Sequence, residues 1–308
     1  MRSAFIEELT RLARIDPNIV LVVGDLGFGV VGKFAEELPA QFVNAGVAEQ
    51  NMTGLAAGMA LSDPTRGRTV LTYSIANFPV IRCLEQIRND VCYHDANVKI
   101  VAVGGGMAYG SLGMTHHATE DLAIMRAMPN MVVLAPNDPV EAKLATRAAV
   151  EHRGPVYLRL GKQGEKRVHA TDPEFRIGKA IRMRDGGDAT LLVTGGLLQN
   201  TLEAAELLGM KGIQAGVISV PCVKPFDAEP LNGSTALFTI EEHSIIGGLG
   251  GAVAEIIAES GSRITFKRIG LPGEQFSSKV GDQDYLRREF GLDPDGIALT
   301  VERVLSRK

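Results

Sequence analysis

Glu49 sits in the run Asn44-Ala45-Gly46-Val47-Ala48-Glu49-Gln50-Asn51-Met52-Thr53-Gly54, between a strand-like segment and a stretch of small residues. An acid at a helix start is favoured by the helix dipole, so Glu49 has a plain reading as a capping or solvated group. Gly54, Ala57, Gly58 and Ala60 give it a second one. Small residues let another helix approach closely. An acid at the start of such a contact would be buried and poised to hydrogen-bond a ligand. His116 and His117 are adjacent, with Glu120 and Asp121 just beyond. Imidazole titrates near neutral pH and can serve as acid, base or donor to a substrate oxygen. Adjacent histidines rarely converge on one ion, so no metal centre is expected in this chain. Gly27-Phe28-Gly29-Val30-Val31-Gly32 follows a strand and matches G-x-G-x-x-G, with Glu49 17 residues beyond Gly32. That leaves an NAD(P)-binding protein as a rival reading. Two features weigh against it: Asp25 stands where pyrophosphate would approach, and Pro39 stops the following helix early. Gly247 to Gly251 has Val253 at the third glycine place and reads as a turn that lets a helix pack closely on a sheet.

The elements that must position these residues alternate between helix and strand. Continuous apolar strands are expected at Ile19–Val23, Gln41–Asn44, Thr69–Thr72, Val98–Val103, Met131–Ala135 and Val156–Leu160. Helices are expected at Phe5–Ala13, Phe34–Leu38, Asn51–Leu61, Val80–Cys92, Asp121–Ala127 and Val140–His152. Such alternation implies a parallel sheet covered on both faces. Residues 161–175 are polar, and a second α/β series follows, with strands at 191–194, 215–220, 236–240 and 265–269. The fold class is therefore α/β with two doubly wound domains, a mostly parallel sheet followed by a smaller α/β domain. The boundaries are 1–165, a linker over 166–178, and 179–308.

The 308 residues suffice for two cores. Lys+Arg 32 against Asp+Glu 36 gives a net charge of −4, which argues against a nucleic-acid partner. No stretch approaches roughly 18 unbroken apolar residues, so no membrane span is expected. Cys83, Cys92 and Cys222 have no C-x-x-C spacing. The N-terminus lacks a signal-peptide pattern, and a cytoplasmic protein fits best.

The segment Asn44 to Met52 resembles the one that carries the catalytic glutamate in thiamine-diphosphate enzymes of the transketolase family. The resemblance runs along nearly the whole chain. Val23-Gly24-Asp25-Leu26 looks like that family's early strand end, and Tyr73-Ser74-Ile75-Ala76-Asn77-Phe78 like its aromatic loop. Gly113-Met114-Thr115-His116-His117 is similar to its G-P-T-H motif. Met128-Pro129-Asn130-Met131, Ala135-Pro136-Asn137-Asp138, Lys224-Pro225-Phe226-Asp227 and Glu241-Glu242-His243 follow in family order. The family's diphosphate- and metal-binding motifs, G-D-G and N-N, do not occur in this sequence. The chain therefore resembles the C-terminal subunit of a split transketolase, made of a pyrimidine-binding domain and a transketolase C-terminal domain. The resemblance implies thiamine diphosphate as cofactor. It also implies Mg²⁺ or Ca²⁺ bound mainly by an N-terminal partner subunit, homodimerisation through the pyrimidine domain, and a heterotetramer.

The resemblance also implies the roles. Glu49 would hydrogen-bond a ring nitrogen of the cofactor's aminopyrimidine, and His116 would meet a substrate oxygen. Asp25, Leu26, Phe78, Ile75 and Ile81 would contact the cofactor, with Phe78 packing on the pyrimidine. Lys162 and His117 would contact substrate. A two-carbon ketol unit would pass from a ketose to an aldehyde acceptor, the cofactor acting as electron sink. Leu112 stands where the sugar enzymes have an aspartate, and Gly104-Gly105-Gly106 where a phosphate-contacting His or Arg is common. Lys162 replaces an arginine and would meet an anion as a point charge. These departures leave open whether the ketose is phosphorylated. The alternatives are a 1-deoxyxylulose-5-phosphate-synthase-like condensation, a 2-oxoacid dehydrogenase beta-subunit-like reaction, and, more remotely, a non-catalytic subunit.

Overall fold

The computed structural model describes residues 1–27, 29–62 and 67–306. The first half runs α1 (Arg2–Ala13), β1 (Ile19–Val23), α2 (Gly32–Glu37), β2 (Phe42–Asn44), α3 (Glu49–Leu61), β3 (Thr69–Ile75), α4 (Phe78–Ile81), α5 (Leu84–Gln86) and a π-helical turn Ile87–Cys92. It continues with β4 (Val98–Val103), α6 (Asp121–Ala127), β5 (Val132–Leu134), α7 (Pro139–Glu151) and β6 (Val156–Leu160). The second half holds β7 (Ile181–Arg184), β8 (Ala189–Thr194), α8 (Leu198–Met210), β9 (Ala215–Ser219), β10 (Cys222–Lys224), β11 (Ala236–Ser244), α9 (Leu249–Ser260), β12 (Thr265–Leu271), α10 (Gln283–Glu289) and α11 (Pro294–Leu305).

Two sheets result. The first has the order β10-β5-β6-β4-β3-β1-β2 and is parallel except for β10, which pairs antiparallel with β5. The second has the order β12-β11-β8-β9-β7, with only β7 antiparallel. β1, β4, β5 and β6 are buried along their whole length. That is why they read as unbroken apolar runs rather than alternating ones. One core face of the first sheet packs under α1 and α7 through Phe5, Leu9, Leu21, Leu158 and Ala145. The opposite face joins α3 and α6 to Leu192, Ile218, Leu237 and Val253 of the second half, so a single apolar cluster spans both.

Three differences from the sequence reading have physical causes. The helix expected over Val80–Cys92 is divided into α4, α5 and the π turn, whose Tyr93 N–H reaches the Arg88 carbonyl five residues back. An apolar period near 3.6 does not distinguish such turns from a continuous helix. β10 belongs to the second half in sequence but to the first sheet in space. α10 and α11 lie beyond the last expected strand. Asp282 and Asp293 cap them by accepting the Tyr285 and Gly296 N–H groups, and Pro294 opens α11 at the first helical position.

Candidate active site

Five strands lying side by side, β6, β4, β3, β1 and β2, release their chain ends on one edge of the first sheet. Beyond those carboxyl ends stand, in the same spatial order, Lys162, the Gly104 run leading to His116, Phe78, Asp25 and Glu49. This is where a parallel sheet receives ligands. Residues far apart in sequence thus form one row because parallel crossovers bring every strand back pointing the same way.

Glu49 is the first residue of α3 and is 3 % exposed. Its Oε2 accepts from Arg82 Nη1 at 3.1 Å, whereas Oε1 is buried with no hydrogen-bond partner. The Thr53 hydroxyl donates to the Glu49 carbonyl at 2.9 Å and steadies the first turn. Gly24 lies against the Glu49 side chain, its Cβ position 3.7 Å from Cγ. A buried carboxylate oxygen without a donor is costly unless a ligand supplies one. Asp25 is exposed at the end of β1 in the left-handed region, φ 56°, and its Oδ1 accepts from Asn44 Nδ2 at 2.9 Å. Asn44 Oδ1 in turn accepts the Gly46 N–H, so Asp25 and Asn44 shape the turn that presents Glu49.

Phe78 opens α4 half-buried. The Arg82 guanidinium sits 4.2 Å from its ring centroid, and the His116 ring meets its edge at 5.3 Å. Asn77 Nδ2 donates to the Thr115 carbonyl at 2.8 Å, which ties the Phe78 segment to the His116 loop. Thr115 Oγ1 and His116 Nδ1 are 3.1 Å apart. Leu26 and Ile75 are half-buried beside the strand ends, and Ile81 is 52 % exposed. His117 is turned inward: it is buried, with Nε2 3.0 Å from the Gly110 carbonyl. It braces the loop and does not face the row of strand ends, which corrects its expected substrate contact.

The three glycines each receive a different side chain. A Cβ on Gly104 would overlap the Tyr109 ring, one on Gly105 the Arg159 side chain, and one on Gly106 would fall 2.5 Å from Glu242 Oε1. Gly104 and Gly106 also have φ of +85° and +66°. Arg159 is buried, donating from Nε to Asp121 Oδ2 at 2.9 Å and from Nη2 to the carbonyls of Ala118 and Glu242. Glu242, on β11 of the second half, accepts the Met107 N–H at 2.6 Å and also binds Gln283 and Arg287. The C-terminal half therefore holds the loop that carries His116. Lys162 lies with Nζ 4.8 Å from the Tyr109 ring centroid, and Arg2 donates to Gln163 Oε1 next to it at 2.8 Å. Arg82, Tyr109 and Arg2 escaped the sequence reading, since no motif marks them.

The dinucleotide reading does not survive the geometry. α2 begins at Gly32 and spans only six residues, and Gly27 is needed for contact with Tyr73 and Val31. Phe28 lies outside the described residues. At α9 the free N–H groups of Leu249 and Gly250 are taken by the two Glu241 oxygens, each at 2.8 Å. That helix start is already capped by a carboxylate.

The sequence profile of the transketolase pyrimidine binding domain matches residues 1–165, and that of the transketolase C-terminal domain matches 178–297. The chain belongs to the transketolase family. A Methanocaldococcus jannaschii protein that carries the name of a transketolase C-terminal section is 40% identical over 100% of this chain and 97% of its own length. One of the apulose-4-phosphate transketolase subunits of Phocaeicola vulgatus is 38% identical over 97% of this chain and 96% of its own. A solved split-gene transketolase, described as an inactive beta4 tetramer, superposes with a TM-score of 0.88 at 35% identity, covering 99% of this chain and 97% of that one. The chain matches these transketolase subunits end to end. By contrast it spans 48% of the Geobacter sulfurreducens 1-deoxy-D-xylulose-5-phosphate synthase, at 34% identity. The fold is thus that of a transketolase pyrimidine domain followed by a C-terminal domain, and the chain is the C-terminal subunit of a split transketolase.

Proposed function

We propose that Glu49, His116 and Phe78 are the working residues of this subunit in a thiamine-diphosphate-dependent transfer of a two-carbon ketol unit from a ketose to an aldehyde. The carrying observation is the buried, partnerless Glu49 Oε1 within a row that also holds Phe78 and His116. Glu49 offers that oxygen to a ring nitrogen, Phe78 offers a ring for stacking, and Gly24 keeps the wall beside Glu49 thin. Bound thiamine diphosphate supplies the electron sink that lets a carbon–carbon bond next to a carbonyl break. His116 then stands where it can give or take the proton of a substrate oxygen. Asp25, Leu26, Ile75 and Ile81 frame the cofactor end. Lys162 and Arg2 carry no acidic partner among the described residues and frame the substrate's far end.

The diphosphate and its Mg²⁺ or Ca²⁺ are assigned to a separate N-terminal subunit. In support, no group of three or more His, Cys, Asp or Glu suited to a metal occurs among the described residues. Self-association is assigned to α3. Gly54 and Gly58 have open space around their Cβ positions, and Leu55 and Leu61 beside them are 38 % and 44 % exposed. Two copies of each subunit would give a heterotetramer in the cytoplasm.

The experiment is calorimetry with thiamine diphosphate, Mg²⁺ and NAD⁺, with and without the N-terminal subunit. The expected result is tight thiamine diphosphate binding that requires both subunits and Mg²⁺. Tight NAD⁺ binding by the isolated chain would overturn the reading.

A further inference from the structure

Tyr109 lies at the centre of the substrate end of the row. Its ring occupies the space over Gly104, so no side chain at position 104 can reach the site. Its face carries the Lys162 ammonium at 4.8 Å, and its other neighbour is the His116 ring at 6.0 Å. Arg2 is near enough for its charge to oppose the rise that burial imposes on the Tyr109 hydroxyl pKa. Among the described residues neither Lys162 nor Arg2 is paired with an acid. A half-buried aromatic ring therefore stands between the imidazole that would meet the reacting oxygens and two cations with nothing to neutralise them.

We propose that Tyr109 is a specificity-determining residue: it fills the space above Gly104 and seats Lys162, so the site selects ketoses whose far end is a compact tetrahedral oxyanion such as a phosphate or sulfonate. The ring does this in two ways. It supplies the attractive face that fixes the direction of a flexible lysine stem. It also removes the room in which an uncharged, hydrated chain end would sit, so a neutral terminus finds two unpaired cations and an apolar wall. This inference rests on the transketolase reading of the same site.

The test measures kcat/KM of the reconstituted two-subunit enzyme for D-fructose 6-phosphate and for D-fructose, with one aldehyde acceptor. The wild type is expected to prefer the phosphorylated sugar. Tyr109→Ala is expected to lower that preference at least tenfold, through KM of the phosphorylated sugar. Tyr109→Phe keeps the ring and is expected to stay within about threefold of wild type. Lys162→Met, which leaves the ring in place, is expected to lower the preference as Tyr109→Ala does, and it stands in if that variant folds poorly. An unchanged preference in Tyr109→Ala and Lys162→Met, or equal losses on both sugars, would overturn the inference while leaving the transketolase reading intact. Failure of the wild-type complex to turn over either sugar would overturn the reading itself, and the inference with it.

Discussion

Arg82 binds Glu49 through one carboxylate oxygen only, with Nη1 3.1 Å from Oε2, while Oε1 remains buried and without a donor. The same guanidinium lies over the Phe78 ring. One cation thus links the acid to the aromatic ring across the start of α3 and α4. The arrangement divides the carboxylate: one oxygen is anchored by the protein, the other is available.

Because Arg82 is 52 % exposed, this ion pair contributes little to folding. Arg82→Ala is expected to lower the unfolding free energy of the isolated chain by under about 1 kcal/mol, as half-solvated pairs do. Urea unfolding followed by circular dichroism measures it. A loss of several kcal/mol would mean that the pair is structural.

Glu242 is expected to behave oppositely. It is 1 % exposed and gathers the Met107 N–H, Gln283 and Arg287. Glu242→Ala strands a backbone donor and a mostly buried guanidinium, and should cost about 3–5 kcal/mol in the same urea experiment. A cost under about 1 kcal/mol would show that the C-terminal half does not hold the His116 loop.

Asp138 predicts an acid-labile contact between the domains. It caps α7 and accepts from the Val168 and His169 N–H groups at 2.9 and 3.0 Å. Burial alone would raise its pKa, but the His169 ring and the backbone donors outweigh it and bring the value down to about 2. A depressed acid contributes stability above its unfolded value of 3.8 and loses it as pH falls towards 2. Wild type should therefore lose about 2 kcal/mol more than Asp138→Asn between pH 5 and pH 2, read from urea midpoints. Parallel pH profiles would contradict this.

Gly58 is exposed on α3 with open space above it. If α3 is the self-association face, Gly58→Arg should weaken the homodimer at least tenfold in sedimentation velocity, since a bulky charge blocks close helix approach. Unchanged association would move the interface elsewhere.

Much of this was legible in the sequence, for local reasons. β1, β4 and β6 announce themselves because both faces of a parallel sheet are covered, and Glu49 stands out because small residues follow it. The remainder depends on partners distant in sequence. Gly104 to Gly106 read as a departure from the family. The structure gives the reason: Tyr109, Arg159 and Glu242 each need the room that one glycine leaves. β10 is three residues long and pairs with a strand of the other half, which no local pattern encodes. His117 shares its neighbour's chemistry, and only the fold decides which of the two rings turns inward.

The most direct measurement is turnover of the two-subunit complex carrying Glu49→Gln. Glutamine keeps the size and the Arg82 contact but removes the carboxylate. The account predicts a fall in kcat of at least about 100-fold with the complex still assembled. Turnover close to wild type would contradict it.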